Sequence, residues 1–226
     1  MKAAVLVYGM CTAFDLAVKS WKFLNDIDCD VYFSTWNYQK KYSEKLNYLS
    51  QFDVNEEMIK KNIPNIKLLI NDEKNYNFNL TTEKIIFHWK NCLNMLDESK
   101  VNYDIIILTR PENYINYKFN SLEFFDKKEK DRIYGLENIQ IVGLKKYFIQ
   151  DIFFIGDYKV MYDLLSTVPI DISCLHQGLA EHIIYKNLYV EPIKNLGVMT
   201  LRPNCVELIN KPYNMEILWK KVQEWG

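Results

Sequence analysis

Between Tyr103 and Tyr114 the chain reads Y-D-I-I-I-L-T-R-P-E-N-Y, and the first half of that string admits few folds. Ile105 to Leu108 is an unbroken apolar run rich in β-branched side chains, too short for a helix and bounded by a turn signal. Such a run predicts a strand buried on both faces of a sheet. The residues after it are of the opposite kind: Thr109, Arg110, Pro111, Glu112 and Asn113 are polar or rigid, with φ fixed at Pro111. Ligands of open α/β sheets occupy the crevice beyond the carboxyl ends of the strands. The cation Arg110 and the carboxylate Glu112 are therefore candidates for ligand contact. The alternative is an exposed ion pair in a surface loop.

The same alternation of buried run and turn begins the chain. Ala3 to Tyr8 is apolar and stops at Gly9, and Thr12 predicts the cap of a helix running to about Asn25, with Phe14, Ala17, Val18, Trp21 and Leu24 on one face. The turn from Tyr8 to Phe14 could turn backbone N–H groups and a helix start toward a phosphate, although it is neither a G-x-G-x-x-G nor a P-loop. Asp30 to Thr35 predicts a second strand ending at Trp36, a ring that can stack on a nucleobase or roof the core. Residues 40–62 are charged and helical in pattern, Ile66 to Ile70 is a third strand, and 71–79 is a polar loop. A helix from Thr81 or Thr82 to about Glu98 carries Ile85, Ile86, Trp89, Leu93 and Leu96 inward, with His88 and Lys90 on flanking faces. It leads into the 105–108 strand by a right-handed crossover.

The second half is mixed. Arg132 to Tyr134 and Asn138 to Val142 predict short strands of a meander, and Asp151 to Ile155 another buried strand followed by a helix. Leu175 to Asn187 reads as a helix, Val198 to Leu201 as a late strand and Tyr213 to Trp225 as a terminal amphipathic helix. The expected fold is one α/β domain over 1–226, a Rossmann-like mixed sheet with helices on both faces. Residues 1–115 form its parallel half and 116–226 its mixed half.

Composition excludes several classes. Apolar residues at 49% and aromatics at 15% supply a core and argue against disorder. Net charge is -1, from 28 basic and 29 acidic residues, so no overall field draws the chain to nucleic acid or a membrane surface. Five cysteines without C-x-x-C spacing predict reduced thiols in a cytoplasmic protein rather than a zinc site. The N-terminal apolar run lacks a cleavage site and reads as a strand, and no segment is long enough to span a bilayer.

Several strings together resemble one branch of the GT-A glycosyltransferases. They are the first strand with its small turn and Phe14, D-V-Y-F-S-T-W from Asp30, H-W-K from His88, Y-D-I-I-I-L-T-R-P-E from Tyr103 and D-I-F-F-I-G from Asp151. The chain is similar over about residues 2–202 to the small GT-A-like glycosyltransferases of lipopolysaccharide and capsule loci, phages and large viruses. Those proteins show D-x-[FY]-x-x-[TS]-W and Y-D-x-[IV]-[IV]-x-x-R-x-D at matching places. The resemblance implies transfer of a sugar from a nucleoside-diphosphate sugar, such as a UDP sugar, to a hydroxyl acceptor. That acceptor would be a surface glycan or a modified DNA base, the latter being the one role left for nucleic acid.

The resemblance also implies roles. Tyr8, Gly9, Thr12 and Phe14 would line the nucleotide, Trp36 would close over its base, and Arg110 with Glu112 would occupy the place of the GT-A acidic motif. A carboxylate there usually meets Mn²⁺ or Mg²⁺, but this chain has one Glu where two acids are usual, and Arg110 offers an alternative cation. An inverting enzyme needs a general base; Gln177 stands at the expected acidic position, which leaves Glu181, His176 and Asp151 as candidates, with Asp157 a rival. A nucleotidyltransferase would share the first half, but the Gly-rich basic loop of that class does not follow Val7. A non-catalytic nucleotide- or sugar-binding protein would tolerate the departures at Glu112 and Gln177.

Overall fold

Two strands with no exposed side of their own set the architecture. In the computed structural model, which describes residues 1–12, 14–43, 48–63, 65–115, 132–135, 139–142, 145–148, 152–192 and 198–200, the first apolar run is strand β1 (Lys2–Tyr8). The chain then turns through α1 (Phe14–Ala17) and α2 (Phe23–Asp26) into β2 (Asp28–Trp36). An antiparallel hairpin of β3 (Tyr38–Ser43) and β4 (Tyr48–Asp53), then α3 (Glu56–Asn62), lead to β5 (Ile66–Asn71). Helix α4 (Thr81–Ser99) precedes β6 (Ile105–Thr109) and the short β7 (Asn113–Ile115). Later come β8 (Arg132–Gly135), β9 (Ile139–Val142), β10 (Lys145–Phe148) and β11 (Phe153–Asp157). They are followed by α5 (Tyr158–Thr167), α6 (Leu175–Tyr185), β12 (Tyr189–Pro192) and β13 (Val198–Thr200).

Seven strands form one sheet in the order β12-β8-β11-β6-β1-β2-β5. β1 pairs in parallel with β6 and β2, placing Val5 beside both Ile107 and Val31, and β5 extends the parallel set beyond β2. β11 runs antiparallel to β6 and β8, so among these seven strands it alone is reversed. The expected mixed α/β sheet therefore forms, with strands of both halves in it.

The pleat divides the core in two. Ala4, Leu6, Tyr8, Ile106, Leu108 and Phe154 pack beneath α4, α5 and α6, against Trp89, Leu93, Leu164 and Leu179. Their neighbours Ala3, Val5, Val7, Ile105, Ile107 and Ile155 face the other way, onto Phe14, Trp21, Phe23 and Ile59. Each large side chain so buried contributes about 1.5–3 kcal/mol relative to exposure. Helices thus cover both faces, and the crossovers into β2 and β5 lie on the side opposite the α4 crossover into β6. The carboxyl ends of β1 and β6 form the topological switch point, where such sheets leave a crevice.

Three expectations change. The single helix over 12–25 is broken into α1, a 3₁₀ turn at Val18–Ser20 and α2. The break has a tertiary cause: Ser20 Oγ donates to Ala17 O at 2.6 Å and accepts from Ile115 N at 2.8 Å, while Trp21 Nε1 donates to Asn113 O at 2.6 Å. Only the end of the 40–62 helix exists; the Tyr- and Lys-rich stretch before it pairs as β3 and β4, as aromatic residues favour. β9 leaves the meander for a separate hairpin with β10, while β8 alone joins the main sheet. The terminal helix expected at 213–225 lies outside the described residues.

Candidate functional site

The crevice floor begins at Gly9, whose φ of +103° is one that side-chain-bearing residues rarely adopt. Its N–H donates to Ser34 O at 3.1 Å, and a Cβ built on it would meet nothing within 4 Å, so open space lies above the backbone. Cys11 then folds inward with Sγ 3.4 Å from Thr35 Oγ1, and burial pushes its thiol up to about 12, far from a reactive thiolate. Thr12 is half-buried at the lip, its N–H donating to Met10 O at 2.8 Å.

The opposite wall is the turn after β6. Val7 beside Thr109 is the last β1–β6 pair, so the turn at Arg110 and Pro111 leaves the sheet next to the end of β1. Arg110 Nη2 stands 2.5 Å from Glu112 Oε1, with the guanidinium side chain 32% exposed and the carboxylate side chain 6%. This is no loose surface pair: its negative end is inside the protein and its positive end is partly exposed. Asn113, fully buried, fixes the turn. Its Nδ2 donates to Thr109 Oγ1 at 3.0 Å and Ile152 O at 2.6 Å, and its N–H to Arg110 O at 3.2 Å.

A polar hub beside Gly9 was not legible in the sequence. Ser34 Oγ accepts from Asn71 Nδ2 and from Asn91 Nδ2, each at 3.3 Å, and lies 2.8 Å from His88 Nδ1. With both amides donating, the hydroxyl hydrogen goes to Nδ1, which assigns the His88 proton to Nε2. His88 is 1% exposed rather than flanking, and burial lowers its pKa to about 3 against a small opposing pull from Glu73, so the ring is neutral. The available signal was weak: a Ser-Thr step ending β2, and His88 and Asn91 three residues apart on α4.

Several candidates take structural places. Tyr8 is wholly buried with its ring edge-on to Trp89 at 5.5 Å, because even-numbered β1 residues face α4. Phe14 is core between Trp21 and Phe33, at centroid distances of 5.9 and 5.5 Å. Trp36 is 3% exposed, stacked on Phe87 at 5.5 Å and enclosed by Tyr76, Phe78 and His88, so neither ring face is open to a base. Gly9, Thr12, Arg110 and Glu112 are the predicted residues that follow the carboxyl ends of β1 and β6. Asp157 lies at the far edge, paired with Ile105, where it caps α5 by accepting from Lys159 N at 3.0 Å. Glu181 is exposed on α6, His176 sits in that helix's first turn, and Asp151 lies outside the described residues. Ile152, however, is held at the crevice by Asn113.

A divalent cation does not fit the described residues. Such an ion asks for several oxygen ligands, and among the described residues no three carboxylate, imidazole or thiol groups cluster to hold one. At Glu112 the guanidinium of Arg110 already engages the carboxylate. Unit charges 4 Å apart repel by roughly 4 kcal/mol at the effective permittivity of a protein surface, and a divalent ion doubles that.

No family model matches the chain, and no curated protein matches it in sequence. Solved structures do match. A nucleoside-diphosphate-sugar pyrophosphorylase from Vibrio cholerae RC9 aligns with 84% of this chain and 90% of its own, at 12% identity and a TM-score of 0.46. The galactosyltransferase LgtC, in complex with donor and acceptor sugar analogs, aligns with 84% of this chain at 10% identity and a TM-score of 0.43. The chain spans 66% of that galactosyltransferase.

Proposed function

We propose that the chain is a nucleotide-sugar-utilising enzyme of GT-A type, a glycosyltransferase that binds a nucleoside-diphosphate sugar at the switch point between β1 and β6. The observation that carries this reading is what stands at two adjacent strand ends, open space above Gly9 after β1 and the Arg110–Glu112 ion pair in the turn after β6. Backbone and cation together suit a diphosphate. Arg110 and the lip residue Thr12 are the binding residues of this reading. The acceptor is a hydroxyl compound, a glycan before a modified DNA base given the balanced charge. Among the described residues no helix is long and apolar enough to cross a membrane.

In the inverting form, a base removes the acceptor's hydroxyl proton as its oxygen attacks the anomeric carbon. The bond from that carbon to the diphosphate oxygen breaks, and the diphosphate leaves with the electron pair. The base is sought at Asp151, His176 or Glu181. Thermal-shift screening against nucleoside diphosphates should raise the unfolding midpoint with UDP or GDP, and the matching sugar donors should then release diphosphate. Alanine at one of the three candidate bases should lower that turnover by about 10²–10⁴-fold with near-normal donor binding. Losses below tenfold at all three would exclude the inverting form, and no stabilisation by any nucleotide would exclude the reading itself.

A further inference from the structure

We propose that Arg110, held by the buried carboxylate of Glu112, meets the charge of the departing diphosphate in the place where a bridging divalent cation would stand. The inference rests on the nucleotide-sugar reading above and concerns the same site. Its first support is the polarity of the pair: the Glu112 carboxylate is buried and the Arg110 side chain partly exposed, at 2.5 Å. A dipole so oriented attracts an anion at the crevice and repels a cation. Its second support is placement: the β1–β6 register ends at Val7 beside Thr109, so the turn that carries Arg110 leaves the sheet next to the end of β1, where the space above Gly9 is open. An anion lying over Gly9 meets a planar fork of N–H donors that matches phosphate oxygens two at a time. The third is rigidity. Asn113 ties the turn to β6 and to Ile152, and the ion pair with Glu112 ties Arg110 to the same turn.

As the bond from the anomeric carbon to the diphosphate breaks, the leaving group gains one negative charge and no proton. Arg110 cannot supply a proton, because a guanidinium stays charged throughout the working range, so it stabilises that charge electrostatically. Glu112 acts as a positioning residue through Arg110.

The test is calorimetric titration of the full chain with UDP and GDP, and with uridine and guanosine, in EDTA and in millimolar Mn²⁺. The expected result is diphosphate binding in EDTA, with affinity changing by less than about threefold when Mn²⁺ replaces it. Arg110→Ala should lose about tenfold or more for the diphosphate and little for the nucleoside. Should that variant fail to fold, Arg110→Lys carries the test, since it keeps the charge but loses the fork; a diphosphate-specific loss is expected, and wild-type affinity would overturn the assignment. Glu112→Gln should bind the diphosphate without acquiring metal dependence. Diphosphate affinity that arises only with Mn²⁺ and vanishes in Glu112→Gln would make Glu112 a metal ligand and sink this inference while sparing the nucleotide reading. Failure of both diphosphates to bind in either condition would sink both.

Discussion

His88 shows what a single buried side chain does to the response of the whole protein to acid. Its imidazole is neutral in the fold because burial lowers its pKa to about 3, whereas the unfolded chain protonates it near 6.5. The unfolded state thus binds the extra proton between those values. The stability tied to His88 is therefore complete above about pH 6.5 and is lost as pH falls from there toward 3, at roughly 1.4 kcal/mol per unit. Unfolding measured at pH 6.5 and pH 5 should differ by about 2 kcal/mol from this group alone, and His88→Phe should flatten the slope. An unchanged slope would mean the ring is protonated in the fold. Trp36 is the companion case. Its enclosure predicts that Trp36→Ala costs about 3–5 kcal/mol of stability through a cavity. A variant that kept its melting temperature but lost nucleotide affinity would place the ring at the ligand after all.

At the scale of elements, the break between α1 and α2 is a tertiary decision. Ser20→Ala removes the acceptor of the buried Ile115 N–H and should cost about 1–3 kcal/mol. It should also weaken diphosphate binding, because β7 carries the end of the Arg110–Glu112 turn; wild-type stability in denaturant titrations would refute the tie. This explains what could be read in advance. β1 and β6 were legible because burial on both faces makes a strand uniformly apolar. The helical spacing of Phe14, Ala17, Val18 and Trp21 was correctly read as one buried face, but the residues that break the helix lie more than ninety positions away. Residues 38–53 misled because charged residues interleaved with Tyr satisfy helical and strand periods alike. Of the site, Gly9, Arg110 and Glu112 were visible as punctuation after apolar runs. The Ser34–His88 hub was not, since its four members come from three elements and each alone reads as an ordinary polar residue.

The whole molecule is a sheet with two cores, and the switch point exists because the chain changes face between its third and fourth parallel strands. Both walls of the crevice hang on the centre of that sheet, β1 for Gly9 and β6 for Arg110, where no strand edge is free to fray. The two walls are made about a hundred residues apart, since Ala3 pairs with Ile105. At about 5–20 residues per second of synthesis, β1 waits on the order of 5–20 s for its partner. During that interval β1, β2 and β5 can assemble as a parallel unit with α1, α2 and α3 on one face, but the inner edge of β1 stays unpaired. A nascent chain halted before residue 105 would therefore present a sticky, half-closed sheet to whatever chaperone stands at the ribosome exit, and the binding crevice would come into being only when β6 slots home.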